Sequence, residues 1–406
     1  MSNLIYDEYN REEHCIELIA SENYPSEAVR AALATPFCMK YTEGYPSKEA
    51  VEEFQKDFPN YIHTGNTGRY YGRTKFFDLL ELYCRYMWQQ VFHTDYHVNV
   101  QSHSGSSANM EAYAAILEPG DTILSMSLAN RGHLTHRAPV NFSGKLYNMV
   151  FYGVDADGFI DYNDIYNKIL EHEPKMVVVG ASAYSRTIHY DQIREIIDKA
   201  GEKIGFTPYM FVDMAHVAGL IAGGVHPSPF GYADIVNSTT QKSLRGNRGG
   251  LIFCKPELAK KIDSAVFPYA QGGSLMNEIA GKAVTAEEAL RPEFKTYAQM
   301  VVANAKAMAE EFVKMGYDVV TGGTDNHMFL LDFSKTHPNL TGKMVQDELD
   351  KHGITLNKNS VPNEQRSPMQ TSGVRIGTPA MTTLGYGPDD FIKVAHMIDE
   401  IIENMK

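Results

Sequence analysis

The chain has 406 residues, of which 43% are hydrophobic and 21% charged, so it is long enough to form two packed domains. Its net charge of −13 argues against a nucleic acid or a membrane surface as a partner bound by general electrostatics. The four cysteines lie far apart without paired spacing, so neither a disulfide framework nor a metal site is predicted. The chain does not open with a basic segment followed by an apolar one, and no long uncharged apolar run appears later, so a cytoplasmic protein is expected.

The beginning of the chain is polar and interrupted by turn residues. Residues 1–16 are polar and acidic, and we expect them to form an arm that packs on another surface. Helices are predicted over 27–33 and 76–92. Between them, residues 48–68 end in a run of Gly, Asn and Thr that is typical of a surface excursion.

Two loops are candidate sites. The loop at 40–47 holds Tyr41 and Glu43 between Gly and Pro residues, and it is either a solvated turn or part of a site. The second loop, 102–107, consists of small hydroxylated residues before a helix predicted over 108–117. Free N–H groups, hydroxyls and the helix dipole suit a phosphate there, although an ordinary capped helix has the same pattern.

The middle of the chain alternates between apolar strands and amphipathic helices. Strands are predicted at 122–126, 146–152, 175–180, 209–213, 234–238 and 251–254, with helices such as 162–171 and 191–201 between them. Continuously apolar strands in such an alternation predict an α/β fold with a mostly parallel sheet covered on both faces. Ligands of such sheets gather at the carboxyl ends of strands. Polar residues at or just beyond those ends are Ser104, Ser182, Asp213 and Lys242.

Lys242 is unusual because it lies in a turn of small hydroxylated residues between two buried strands, within 235–254. Desolvation and the nearby Arg245 and Arg248 favour a neutral amine, as in a lysine that forms an imine with pyridoxal phosphate. On this stretch alone, a lysine that merely closes a loop is an equal alternative. Asp213 is costly to bury without a partner, and a cationic ring nitrogen is one such partner.

The last third of the chain predicts a second, smaller unit. Long helices over 275–290 and 294–315 precede strands at 327–333, 354–357 and 373–377 and helices at 342–352 and 388–405, a pattern typical of a small α+β domain. The predicted division is an N-terminal arm, 1–16, a large domain, 17–290, with an inserted segment at 48–67, and a small C-terminal domain, 291–406.

Together these pieces closely resemble serine hydroxymethyltransferase, a fold-type I pyridoxal phosphate enzyme, from about residue 17 to the C-terminus. The matching motifs are 17–24 (ELIASENY), 41–46 (YTEGYP), 69–72 (RYYG), 102–109 (SHSGSSAN), 118–122 (EPGDT), 132–136 (GHLTH), 140–147 (VNFSGKLY), 212–220 (VDMAHVAGL), 239–250 around Lys242, 264–268 (SAVFP), 322–327 (GGTDNH), 357–362 (NKNSVP) and 371–379 (TSGVRIGTP). The resemblance implies an aspartate aminotransferase-like large domain with a seven-stranded sheet.

The resemblance also assigns residues to the cofactor. It implies that Lys242 forms the imine with pyridoxal phosphate, that Asp213 pairs with the ring nitrogen, and that His133 stacks on the ring. The rest of the inner shell is assigned to Ser182, His216, Thr239 and Arg248. The phosphate is assigned to Ser104, Gly105 and Ser106, and to Gly272 and Gly273 from a partner subunit.

For the substrate, the resemblance makes Arg375 a bidentate clamp on the amino-acid carboxylate and Glu43 the proton-transfer residue. The other residues assigned to the substrate are Ser21, Tyr41, Tyr71 and His216. Those matching the positions that contact the folate carrier are Leu128, Leu134 and Asn359. Because active sites are shared across an interface in this family, a homodimer or a tetramer is expected.

The implied activity is the reversible transfer of a hydroxymethyl group between serine and glycine, with tetrahydrofolate as carrier, through cleavage of the Cα–Cβ bond. Three departures from the family leave an alternative open: the insertion at 48–67, Gln241 in place of a histidine, and changed pocket-edge residues such as Asn130 and Arg131. The alternative is a divergent paralogue that joins a glycine-derived carbanion to another aldehyde or acceptor without folate, as in a transaldolase or a nucleotide- or specialised-metabolite-modifying enzyme. A non-catalytic binding paralogue is disfavoured because Lys242, Asp213, Glu43 and Arg375 are all present.

Overall fold

A computed structural model describes residues 2–58, 68–126, 132–136 and 140–405. The strands are β1 (Ile16–Glu17), β2 (His97–Asn99), β3 (Thr122–Met126), β4 (Asn148–Tyr152), β5 (Met176–Val179), β6 (Tyr209–Asp213), β7 (Ile235–Thr239), β8 (Gly250–Cys254), β9 (Asp318–Val319), β10 (Met328–Asp332), β11 (Ile354–Thr355), β12 (Asn357–Asn359) and β13 (Gly373–Gly377). The helices are α1 (Ser2–Glu13), α2 (Glu27–Leu33), α3 (Lys48–Asp57), α4 (Lys75–Phe92), α5 (Gly105–Ile116), α6 (Phe142–Leu146), α7 (Tyr162–His172), α8 (Tyr190–Ile204), α9 (Ala218–Ala222), α10 (Ala259–Ser264), α11 (Met276–Ala289), α12 (Pro292–Lys314), α13 (Phe333–Thr336), α14 (Gly342–Lys351), α15 (Pro379–Thr383) and α16 (Pro388–Glu403).

The large sheet has seven strands in the order β2-β8-β7-β6-β5-β3-β4. The five strands from β7 to β4 are parallel, and β8 runs antiparallel to both of its neighbours. The predicted α/β fold with a mostly parallel seven-stranded sheet is therefore confirmed.

The central strands are apolar at successive positions because both faces of the sheet are covered. Along β5, Val177 and Val179 face a core that includes Trp88 of α4, while Met176 and Val178 face a second core formed with α5 and α10. All of these side chains are buried. Helices on both faces leave the carboxyl end of the sheet as the exposed edge where polar side chains gather.

A second, smaller sheet has the antiparallel order β12-β13-β10-β9, and it packs on α14 and α16. The helix α12 joins the two cores, since Phe294 and Val301 lie in the first and Met308 and Phe312 in the second. Among the described residues, no helix is both long enough and apolar enough to cross a membrane.

Besides short elements that the sequence did not predict, the structure changes four of the predicted ones. Most of the N-terminal arm is the helix α1, and β1 then pairs with β11. The segment at 48–67 is not only a surface excursion, because α3 forms its first half; residues 59–67 lie outside the described part of the chain. Helix α5 begins at Gly105 rather than at 108 because Ser104 caps it. The strand predicted over 354–357 is divided into β11 and β12.

Candidate active site

A cavity of about 680 Å³ lies at the carboxyl ends of β6 and β7, between the N-terminus of α5 and the small sheet. It brings together most of the site residues expected from the sequence. Those that line it are Ser21, Ser104, Gly105, Ser106, His133, Leu134, Ser182, Asp213, His216, Thr239, Lys242, Arg248, Asn359 and Arg375.

Lys242 lies in the turn after β7, and its side chain reaches this cavity. The turn is fixed through its backbone, because the Lys242 carbonyl accepts hydrogen bonds from Asn23 Nδ2 at 3.0 Å and from the Arg245 N–H at 2.9 Å. Burial lowers the pKa of Lys242 to about 8; Asp213 opposes this shift and Arg375 adds to it. At pH 7 about a tenth of this amine is therefore neutral and nucleophilic, far more than for an ordinary lysine.

Asp213 ends β6 and is held by three donors. Asn109 Nδ2 donates to Oδ2 at 2.9 Å, His136 Nε2 lies 3.1 Å from the same oxygen, and the Ala215 N–H donates to Oδ1 at 3.1 Å. Burial alone would raise the pKa of Asp213, but the hydrogen bond from His136 and the nearby positive charges outweigh it, so the pKa is lowered. The carboxylate is thus ionised and aimed at the cavity.

Two histidines of the cavity wall are neutral at physiological pH. Burial lowers the pKa of His133 to about 4, and its Nδ1 lies 2.7 Å from Thr135 Oγ1. Burial also lowers the pKa of His216 well below its usual range, with the charges of Lys242 and Arg375 acting in the same direction. His216 Nδ1 lies 3.2 Å from His327 Nε2, which fixes the orientation of the ring.

The turn at 104–106 lies at the N-terminus of α5 and lines the cavity. Ser104 and Ser107 form a capping box at the start of α5, so their side chains serve the helix. The first N–H groups of a helix have no carbonyl partner within it, which suits an anion. Gly105 packs directly on Thr239, since a Cβ at Gly105 would lie 2.4 Å from Thr239 Cγ2. Thr239 Oγ1 is buried and has no hydrogen-bond partner among the described residues.

Arg375 lies on β13 and enters the cavity from the side of the small sheet. Its Nε donates to Asn357 Oδ1 at 3.0 Å and its Nη1 to the Ser182 carbonyl at 2.6 Å. Burial lowers the pKa of Arg375 to about 10, with Glu22 opposing the shift, so the guanidinium remains charged at neutral pH. A fixed, charged fork of this kind is suited to a carboxylate.

Five expected site residues do not line this cavity: Tyr41, Glu43, Tyr71, Gly272 and Gly273. They form a second cluster of their own. The rings of Tyr41 and Tyr71 are 5.4 Å apart, and a Cβ at Gly272 would lie 3.4 Å from Glu43 Oε1. A Cβ at Gly273 would lie 3.5 Å from Tyr41 Cδ1. One chain therefore holds two separate groups of site residues.

A sequence model of the family described as serine hydroxymethyltransferase matches residues 1–398. The chain belongs to the serine hydroxymethyltransferase family. It is accordingly a pyridoxal phosphate-dependent transferase of the glycine and serine hydroxymethyltransferase type, with the fold-type I architecture of that family.

The cavity of this serine hydroxymethyltransferase family member fits pyridoxal phosphate. The close approach of Gly105 to Thr239 leaves a turn without side-chain bulk, and the unpartnered Thr239 Oγ1 offers a hydrogen bond to a phosphate. An ionised Asp213 suits a protonated ring nitrogen, and the pKa of Lys242 suits attachment to an aldehyde. The donor set therefore matches the cofactor of the family.

The residues that orient the site were not singled out from the sequence. They are Asn109 and His136, which hold Asp213, and His327 and Asn357, which hold His216 and Arg375. Each lies inside a motif shared with the family, so the motifs contained the signal, but nothing in the motifs indicated which polar residue contacts which. Asn237 Nδ2 in turn donates to Asn109 Oδ1 at 3.1 Å.

Of the three residues expected to contact the folate carrier, the structure describes two. Leu134 is exposed at the cavity mouth and Asn359 lies on its wall, whereas Leu128 lies outside the described residues, as do Asn130 and Arg131. Gln241, which follows β7, lines the same cavity; its Oε1 is buried and finds no donor among the described residues.

One group of side chains has a spacing that could hold a metal ion, although no metal site is predicted from the sequence. The ligand atoms of His133, His136 and Asp213 lie within 4.8 Å of one another. The hydrogen bond between His136 and Asp213 already uses one atom of each, which accounts for their proximity.

Proposed function

We propose that this protein reversibly transfers a hydroxymethyl group between serine and glycine, with tetrahydrofolate as the one-carbon carrier, by breaking and forming the Cα–Cβ bond. The observation that carries the proposal is the convergence of Lys242, Asp213 and Arg375 on one cavity in a chain of the serine hydroxymethyltransferase family. An amine, an acid and a carboxylate clamp are what amino-acid chemistry on this cofactor requires.

In this proposal, Lys242 holds the cofactor covalently through its neutral amine. Asp213 would accept the hydrogen bond of the ring N–H, residues 104–106 with Thr239 would hold the phosphate, and Arg248 would complete the inner shell. When bound, pyridoxal phosphate supplies an electron-withdrawing ring that accepts the electron pair released as the Cα–Cβ bond breaks. His133, His216 and Ser182, which line the cavity, would contact the ring.

Arg375 binds the carboxylate of the amino acid, with Ser21 at the same wall of the cavity. Asn357 and the Ser182 carbonyl keep the guanidinium from rotating, so the carboxylate is held in one orientation. Holding the carboxylate in one orientation would fix the directions of the bonds to Cα within the cavity. The fixed clamp selects which bond to Cα is broken.

We further propose a homodimer with shared sites, or a tetramer built from such dimers. Glu43 moves the proton of the substrate hydroxyl in the partner's cavity, with Tyr41 and Tyr71 beside it, and Gly272 and Gly273 bind the partner's cofactor phosphate. This is supported by the second cluster, because these residues lie against one another and outside their own chain's cavity. A monomer then lacks a proton-transfer group.

A second candidate function is a divergent paralogue that joins the glycine-derived carbanion to another aldehyde or acceptor without folate. It is favoured by Gln241, whose buried Oε1 has no donor among the described residues and lines the cavity that receives the acceptor. A histidine at this position is titratable, whereas glutamine offers a fixed acceptor and donor.

The deciding experiment measures glycine formation from serine, with and without tetrahydrofolate. Dependence of the rate on tetrahydrofolate supports the hydroxymethyltransferase, and an unchanged slow rate supports the paralogue. Lys242→Ala is the matched control, because it removes the amine and should abolish both the visible absorbance of bound pyridoxal phosphate and turnover while the fold persists. Absence of that absorbance in the wild-type protein would overturn the cofactor assignment.

A further inference from the structure

A second buried lysine, Lys282, lies behind the cavity in the middle of α11. Lys282 is only 1% exposed, and the sequence of α11 around it is rich in alanine. Its Nζ donates to three backbone carbonyls, those of Val100 at 2.7 Å, Ser102 at 2.9 Å and Gly250 at 2.9 Å. Lys282 does not line the cavity, so it has no direct contact with a ligand there.

Three carbonyl acceptors match the three N–H donors of an ammonium group. A neutral amine has two N–H groups, so it would leave one of these buried carbonyls without its donor. Burial lowers the pKa of Lys282 to about 8, and the negative charges around it oppose the shift. The group is therefore largely protonated at neutral pH and places a positive charge inside the protein.

Two of the three carbonyls, those of Val100 and Ser102, lie in the segment that leads from β2 to the 104–106 turn, and the third, that of Gly250, begins β8. The Ser102 carbonyl, two residues before the turn, also accepts a hydrogen bond from the Gly250 N–H at 3.0 Å. Gly250 packs under the turn, since a Cβ there would lie 2.4 Å from the Ser104 carbonyl oxygen. Lys282 thus links the end of β2, the start of β8 and the base of the turn.

The turn has no strongly basic side chain of its own. Residues 102–109 contain no lysine or arginine. The Ser102 side chain instead donates to Glu111, which fastens the turn to α5 but adds no positive charge. A buried cation interacts with a phosphate more strongly than a solvated one because the surrounding dielectric screens it less.

We propose that Lys282 is a positioning residue for the cofactor phosphate: it fixes the 104–106 turn through three carbonyls and supplies the positive charge behind it. The inference rests on the proposed function, which puts the phosphate of pyridoxal phosphate on this turn. It predicts a contribution to binding that acts on the phosphate and not on the ring.

The test is Lys282→Met, which keeps the length and apolar stem of the side chain and removes the charge and the donors. We expect the affinity for pyridoxal phosphate to fall about tenfold or more, as for the loss of a charge-assisted interaction. The affinity for pyridoxal, which lacks the phosphate, should change less than about twofold. The matched control is Lys255→Met, because Lys255 is also partly buried but its Nζ pairs with Asp234 at 2.6 Å, away from the cavity; neither affinity should change.

A second variant tests the same inference in case Lys282→Met does not fold. In Gly249→Ala the new Cβ would lie 2.2 Å from Lys282 Cε, so it displaces the ammonium while the charge stays in the chain. We expect it to lower the ratio of pyridoxal phosphate affinity to pyridoxal affinity in the same direction. Thermal unfolding of the cofactor-free proteins identifies which variants are folded.

An unchanged ratio of the two affinities in folded Lys282→Met or Gly249→Ala would overturn the inference. An equal fall in the affinities for pyridoxal phosphate and pyridoxal also leaves this ratio unchanged, and it indicates a general structural loss. If the wild-type protein binds neither compound, the proposed function fails instead, so the two failures are distinguishable.

Discussion

Arg69 and Glu81 form an ion pair from which water is excluded: Arg69 Nη2 lies 2.7 Å from Glu81 Oε2, and neither side chain is exposed. Arg69 Nη1 also donates to the carbonyls of Thr42 at 2.7 Å and Gly44 at 3.1 Å. These carbonyls flank Glu43, the proposed proton-transfer residue. The buried arginine therefore anchors the loop at 42–44, which contains Glu43, to the helix α4.

Arg69→Met should lower the free energy of unfolding by about 3–5 kcal/mol, because it leaves Glu81 buried beside one fewer cation and releases two loop carbonyls. Denaturant unfolding of the cofactor-free protein measures the change. Arg11→Met is the control, since Arg11 pairs with Glu8 at the surface with half of its side chain exposed, and it should cost no more than about 1 kcal/mol. Similar values for the two variants would contradict the role assigned to Arg69.

The inserted segment makes a structural contribution through α3. Ser47 caps this helix, and Phe54 is buried against the α4 side, with its ring 6.3 Å from that of Tyr86. Phe54→Ala should therefore lower the free energy of unfolding by about 3 kcal/mol, as for a large side chain removed from a packed cluster. Phe76→Ala removes a phenylalanine that is 62% exposed, and it should change stability by less than about 0.5 kcal/mol.

Deleting 48–67 tests the same point. Ser47 and Gly68 already lie in contact, since a Cβ at Gly68 would be 2.8 Å from the Ser47 nitrogen, so the shortened chain can be closed. We expect the deletion variant to fold, to be less stable than the wild-type protein, and to bind pyridoxal phosphate with unchanged affinity. A deletion without any loss of stability would restore the simpler interpretation of a surface excursion.

The sequence predicted the large sheet well because its signal is local. Strands such as β5 and β6 are continuously apolar, Asp213 ends β6, and Lys242 lies three residues after the end of β7. The sequence does not predict the helix α3 because its residues, KEAVEEFQKD, are mostly charged; Ala50 and Phe54 are buried and Val51 is partly buried beside them.

The contacts that tune the site could not be predicted, because they join residues distant in the chain. Asn109 and His136 meet Asp213 from 104 and 77 residues away. Nothing in the sequence around Lys282 indicates its contacts, since its three carbonyl acceptors, on Val100, Ser102 and Gly250, come from segments more than 30 residues distant. A local sequence pattern indicates which residues are buried and whether they repeat with the period of a helix or a strand. These pairings depend instead on how the elements are arranged in space.

His136 keeps Asp213 ionised, and this gives a prediction about pH. The hydrogen bond from His136 helps to lower the pKa of Asp213, so the carboxylate stays charged as the pH falls. In His136→Ala this support is lost and the pKa rises, so protonation of Asp213 occurs at a higher pH than in the wild-type protein. As the pH is lowered, the affinity for pyridoxal phosphate should therefore begin to fall at a higher pH in His136→Ala than in the wild-type protein.

Titration of cofactor affinity from pH 8 down to the lowest pH at which the cofactor-free protein stays folded measures the shift for His136→Ala. His136→Gln is the matched variant, because its amide N–H can replace the lost donor, and it should restore part of the wild-type profile. A uniform loss of affinity at every pH in both variants would mean that His136 acts through packing alone.

The pKa of Lys242 predicts when the chain reacts with an aldehyde. Burial lowers this pKa to about 8, so the ammonium form predominates below pH 8 and the neutral amine above it. Only the neutral amine attacks a carbonyl, so the rate of attachment should rise about tenfold per pH unit up to pH 7 and level off near pH 9. An ordinary lysine, with a pKa of about 10.4, would keep gaining rate beyond pH 10.

Pyridoxal is the better probe for this measurement, because it lacks the phosphate and so does not report on Lys282, which titrates in the same range. The pseudo-first-order rate of attachment, followed by absorbance at each pH, gives the midpoint directly. Arg375→Met supplies a second check: the charge of Arg375 helps to lower the pKa of Lys242, so its removal should move the midpoint to higher pH. A midpoint above pH 10 in the wild-type protein would contradict a buried, activated Lys242. It would indicate that the reacting amine has the pKa of an exposed lysine.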